Sequence, residues 1–199
     1  MDVTRILGPR RPVITRTMSF IARPVRAIFV SVNQLNPTDM NYDHYQYGLQ
    51  LATHLKAIDH SESNPRYFKA YGLEDLYNFD DKLSCVKGHV LIAVDGYESN
   101  SSDNHGDGLT DARHYSFIVA CSTVSDRTQT IDEAFESSRL ILKQIRNRLI
   151  LDPNLMGFIN RDTEITGIGP IGDNFYGCIL TFTIDEPESF KLDASYWKE

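Results

Sequence analysis

The densest set of metal-ligand types in the chain is the run Asp103-Asn-His105-Gly-Asp107-Gly108-Leu-Thr-Asp111-Ala-Arg-His114. Laid on a calcium-loop frame, Asp103, Asp107 and Gly108 take the first, fifth and sixth positions. His105 then takes the third. His114 takes the last, where a bidentate carboxylate must close the loop, so the frame fails at its most important ligand. His105 with His114 could also suggest a transition-metal pair, but two histidines on a solvated loop more often face water. The run is therefore read as a polar hairpin tip, with no metal and no cofactor expected. Its Asp103, His105 and Asp107 are carried forward as candidate partner contacts.

Nucleophilic chemistry is equally thin. Ser84, Ser116 and Ser122 lie near strands, but no base pairs with them in the pattern. His44, His54 and His60 lie on or just after a helix and read as surface residues. Cys85 stands near Lys82 and Lys87, a setting that lowers a thiol pKa, yet neither a base nor oxyanion donors accompany it. Cys121 and Cys178 sit in apolar runs and read as small buried hydrophobes. There is no Walker A loop, GxGxxG, HExxH or GxSxG. No catalytic residue is assigned, and the chain is not expected to be an enzyme.

The elements that would position these residues come from a chain of 199 residues, 41% hydrophobic and 24% charged, enough for a real core without staples. Three widely spaced cysteines suggest neither a disulfide framework nor a zinc site, and a reducing cytoplasm during synthesis is the simplest setting. No run is long enough to span a membrane. The net charge of -7 is uneven: residues 1–27 carry six arginines against Asp2, a net of +5, and leave -12 for the rest. Such a balance speaks to partners and not to fold.

The first 36 residues read as a basic arm. Pro9, Pro12 and Pro24 exclude a regular helix, and only residues 27–32 suit a strand. A frayed terminus, an arm packed on a neighbouring subunit and a nucleic-acid contact are all compatible with it. Ile14, Phe20, Ile21, Val25, Ile28, Phe29 and Val30 make it apolar for a free tail. Arg10, Arg11, Arg16, Phe20, Arg23 and Phe29 are its candidate contacts.

Residues 37–187 read as one domain and 188–199 as a short polar tail with a possible anchor at Trp197. Asn36-Pro37-Thr38-Asp39 suits a helix start, and the helix runs to about Ile58 with a stripe of Leu51, Leu55 and Ile58 and with Tyr47, Gly48 and Ala52 beside it. Residues 65–85 are aromatic-rich without clean periodicity; a core-covering loop with short helical turns is preferred to a tyrosine-rich partner surface. Strands are predicted over 86–95 and 114–123, joined by a long polar loop over 96–113. A second helix opens near 127–130, with Thr130 and Glu133 as a capping box. Its apolar face runs through Ile131, Phe135, Leu142, Ile145 and Leu149, and Lys143, Arg146 and Arg148 favour its negative end. Asp152-Pro153-Asn154 stops it. Two last strands, over 158–168 and 176–185, flank a turn at 169–174. The order α-β-β-α-β-β predicts an α+β fold, a mainly antiparallel sheet with helices on one face.

The run Tyr115-Ser-Phe-Ile-Val-Ala-Cys-Ser-Thr-Val-Ser-Asp126, the helix after it, and the glycine-bearing strand Tyr176-Gly-Cys-Ile-Leu-Thr-Phe resemble tail-terminator and tail-completion proteins of tailed bacteriophages. The resemblance covers residues 40–185 and rests on element order and texture. The long arm and the large 96–113 loop depart from it. It implies a structural virion protein, made in the host cytoplasm, that closes into a homo-oligomeric ring, sixfold by expectation, at the tail end or head–tail joint. Its partners would be copies of itself and tail-tube, connector or portal-associated neighbours, with DNA passing through the lumen and no membrane. Two other classes stay open: a small intracellular ligand-binding domain or enzyme, and an adaptor whose arginine-rich arm binds nucleic acid.

Overall fold

The computed structural model describes residues 42–103, 108–125, 127–189 and 191–198. The chain divides into two units, residues 1–34 and 35–199, and everything described belongs to the second. The expectations for the arm, including Arg10, Arg11, Arg16, Phe20, Arg23 and Phe29, lie outside the described residues, as do His105 and Asp107.

The fold is α+β. Helix α1 (His44–His54) leads to strand β1 (Tyr67–Ala70), a 3-10 helix (Leu73–Asn78) and the one-turn helix α2 (Asp80–Leu83). Strands β2 (His89–Asp103) and β3 (Leu109–Ser122), helix α3 (Thr128–Ile150), and strands β4 (Glu164–Ile171) and β5 (Phe175–Glu188) follow. The sheet order is β1-β2-β3-β5-β4. Among the described residues, only the β1–β2 pair is parallel.

The core has two halves because the central strands are buried on both faces, and for that reason their sequences read as continuous apolar runs. Leu91, Ala93, Phe117, Val119, Leu180 and Phe182 point to the face covered by α1 and α3. Val90, Ile92, Val94, Ile118, Ala120 and Ile179 point to the other, where Leu76, Phe79 and Leu83 of the short helical segment cover them. The long helices thus share one face as expected, and residues 73–83 form the predicted core-covering turns on the other. Tyr71, Leu73 and Tyr77 of that segment remain exposed. Strand β1 went unpredicted: four residues are too few to show a period.

Two glycines set how closely layers approach. A Cβ on Gly48 would stand 3.0 Å from Phe117 and 3.1 Å from Ala93 and Tyr67, so α1 lies against the sheet only because Gly48 has none. A Cβ on Gly177 would collide with the Val119 carbonyl, so β5 needs glycine where it passes β3.

Several boundaries differ from expectation for local reasons. Helix α1 is described from His44, where the Asp43 carboxylate accepts from the Gln46 N–H at 2.9 Å, the predicted start at residues 36–39 lying outside the described residues, and it stops at His54. Leu55 is already extended, and Ile58 reaches the core from a turn closed by Asp59 at φ 51. Helix α3 starts at Thr128 without a capping box. The Thr130 hydroxyl lies inside the first turn, donating to the Arg127 carbonyl at 2.7 Å and accepting from the Val124 N–H at 3.2 Å. Residues 158–163 are not strand; Ile159 makes a single bridge to Ile184, and regular pairing begins at Glu164.

The largest correction concerns residues 96–113. Residues 98–103 and 109–113 are strand and not loop. After an irregularity between Asp95 and Glu98, β2 continues to Asp103, paired with Leu109–His114 of β3. β3 is backed there by β5 out to Glu188. A polar strand needs no apolar face when a central strand supplies its hydrogen bonds on one side. Pro187 does not end β5. The Asp185 N–H points away from β3, to the Phe158 carbonyl, and Pro187, two residues on, has the same orientation, so its missing N–H costs no bond to β3. Among the described residues, no helix is long and apolar enough to cross a membrane.

Candidate interaction surfaces

The three strands continue past the core as a ribbon: 98–103 of β2, 109–114 of β3 and, after the core residue Ile184, 185–188 of β5. Six residues of strand extend roughly 20 Å. The ribbon carries Glu98, Asp103, Asp111, Asp185, Glu186 and Glu188 against the single cation Arg113. Register divides these by face. Asp103, Leu109 and Glu188 form one row, and Ser101, Asp111 and Glu186 the next, on the same side as Tyr115 and Phe182. Four carboxylates therefore share the face that, nearer the core, packs under the long helices.

Asp111 and Glu186 are direct cross-strand neighbours. Burial pushes the Glu186 carboxyl above its ordinary range, Arg113 opposes that, and Asp111 adds to it. One Asp111 oxygen is buried without a hydrogen-bond partner. Arg113 lies 5.6 Å over the Tyr115 ring, where the ribbon joins the core.

Asp103, a predicted contact, is exposed at the far end of β2. His114 is not a tip residue. It sits in β3 with Nε2 2.8 Å from the Asn100 amide nitrogen and Nδ1 3.3 Å from the Thr183 hydroxyl, so it ties three strands together. Among the described residues, no group of three or more His, Cys, Asp or Glu side chains is placed to hold a metal.

A second feature, missed in the sequence, is an open groove of about 620 Å³ between the C-terminal half of α3, residues 161–164 and Thr181–Thr183 of β5. It exists because the chain bows away from β5 between the Ile159 bridge and the start of β4. Arg146 and Arg161 line it, with Asp162 and Glu164 on the β4 side. Arg139 and Lys143 lie on the same flank of α3, at helical spacing from Arg146. From Arg139 to Leu151 the chain holds four cations and no acid, and among the described residues none of these cations has a carboxylate within ion-pair distance. That charge run was the available signal.

The histidines require correction. His44 is not a surface residue; it is 3% exposed. Its Nε2 donates to the Ser116 carbonyl at 3.0 Å, and its Nδ1 accepts from the Tyr42 hydroxyl at 3.1 Å. The ring stacks on Tyr115 at 4.8 Å and lies 4.4 Å from Phe117. Burial lowers its pKa from 6.5 to about 4, against hydrogen bonds to Ser116 and Val94 and the charge of Asp43. His89 lies 2.9 Å from the Ser137 hydroxyl, but that hydroxyl donates to the Glu133 carbonyl at 2.7 Å. The serine proton is thus committed to the helix, and His89 donates to the oxygen, opposite to what activating a nucleophile requires. Cys85 is exposed, whereas burial raises the Cys178 and Cys121 thiols. No protein-family model matches the chain, and no curated protein matches it.

Proposed function

We propose that this chain is a structural subunit of a tailed-bacteriophage particle that assembles into a homo-oligomeric ring at the tail end or head–tail joint. The observation that carries this reading is the three-stranded ribbon. Strands that run on past a core gain little from burial and are usually blunted or covered. A ribbon some 20 Å long, polar on both faces, is suited to reach a neighbour. The sheet with α1 and α3 supplies a rigid wedge, and head-to-tail contact between wedges closes a ring when the rotation allows. The -12 carried by residues 28–199 would repel DNA passing through such a ring and prevent sticking. The resemblance in element order to tail-terminator and tail-completion proteins points the same way. Tail-tube, connector or portal-associated proteins are the proposed neighbours. Electron micrographs of the purified chain test the reading: closed rings of constant copy number are expected, and fields of single particles of subunit size count against it.

A further inference from the structure

The groove beside α3 and the acidic face of the ribbon have matching form. Arg139 and Arg146 are seven residues apart, roughly 10 Å along a helix axis. On the ribbon, the row Asp103–Leu109–Glu188 lies roughly 7 Å from the row Ser101–Asp111–Glu186, and the outer strands are roughly 10 Å apart. The spacing of these rows is close to that of Arg139 and Arg146 along α3, with Arg146 and Arg161 lining the groove itself and Arg139 and Lys143 on the helix flank beyond it. The groove also offers Asn147 and Thr163, donors suited to carboxylate oxygens. Within one subunit none of these four cations has a carboxylate within ion-pair distance among the described residues. Arg113 is the cation that acts on Glu186.

We infer that the groove between α3 and β5 receives the acidic face of the ribbon from a second copy of this chain. The contact is heterologous: groove and ribbon are different surfaces of the same subunit, so each copy offers one to the neighbour on either side. Asp162 and Glu164 on the groove's β4 side set the register, because a ribbon shifted toward them would place like charges together. The inference rests on the reading of the chain as a self-assembling subunit and names the surfaces that do it.

Charge reversal tests it on the full chain. One variant carries Asp103→Lys and Glu188→Lys, the other Arg139→Glu and Arg146→Glu; far-UV circular dichroism and thermal unfolding check that each folds like the parent. Mass by light scattering is then read for the parent, each variant alone and an equimolar mixture. The parent is expected to assemble and each variant to fall to subunit mass. The mixture should regain the assembled mass, since each interface then pairs opposite charges. A parent that assembles while either variant assembles equally well overturns the inference and leaves the ring reading standing. So does a mixture that stays at subunit mass. A parent that never assembles overturns both. An Arg139/Arg146 variant that keeps the ring but loses a DNA oligonucleotide bound by the parent assigns the groove to phosphate and also overturns the inference.

Discussion

Lowering the pH should expose His44 as a titrating weak point of the core. The ring is 3% exposed and fully satisfied when neutral: Nε2–H donates to the Ser116 carbonyl and Nδ1 accepts from Tyr42. Protonating Nδ1 in place would turn that acceptor into a donor facing the Tyr42 hydroxyl, inside an aromatic cluster of Tyr115, Phe117 and Phe182. Burial lowers the folded pKa from 6.5 to about 4. Above pH 6.5 the residue is neutral folded and unfolded and adds no pH dependence. Between 6.5 and about 4 the unfolded chain binds a proton that the folded chain refuses, so stability falls as pH falls. At 1.36 kcal/mol per unit the full loss is roughly 3 kcal/mol. Other groups titrate over the same range, so the test is a difference. Urea unfolding of the parent and of His44→Gln is followed by far-UV circular dichroism, because Trp197, the chain's one tryptophan, is 64% exposed and a poor reporter. At pH 7.5 the variant should be less stable by about 2 kcal/mol, from strained or lost hydrogen bonds and imperfect packing. At pH 4.5 the gap should close or reverse, because only the parent pays for protonation at position 44. A gap that stays constant across that range would refute the assignment of His44 as a neutral core residue.

Two further substitutions probe the frame that carries the surfaces. Gly177→Ala should destabilise the fold by about 2–4 kcal/mol, read as a lowered thermal midpoint, because the added methyl meets the Val119 carbonyl between two paired central strands. Asp43→Ala should cost about 1 kcal/mol in urea unfolding, from loss of the cap on the Gln46 N–H, while Asp43→Ser retains most of it.

Much of the fold was legible where burial leaves a mark on hydropathy. Val90–Val94 and Phe117–Ala120 are buried on both faces and read as strands, and Leu142, Ile145 and Leu149 mark the inner stripe of α3. Legibility failed where smallness or pairing does the work instead. The stripe by which α1 meets the sheet is His44, Gly48 and Ala52. A histidine, a glycine and an alanine carry little hydropathy signal, yet Gly48 is what lets the helix come close enough to bury the imidazole. The larger Leu51 and Leu55 suggested a face rotated from the true one. The ribbon was hidden for a different reason. Ser99 to Asp103 show no alternation because neither face enters a core; backbone pairing to β3 alone holds them in line. The groove depends on residues 161–163 bowing out between two paired stretches, which no local pattern announces, although the acid-free run of cations on α3 was in view.

The central claim is that the chain works by contact between identical copies. Its solution mass across a wide range of concentration and salt tests that most directly. The expected mass is a multiple of the 22.7 kDa subunit that is fixed at low salt and falls as salt screens the charged contact. A mass that stays at one subunit at the highest concentration and the lowest salt would contradict it.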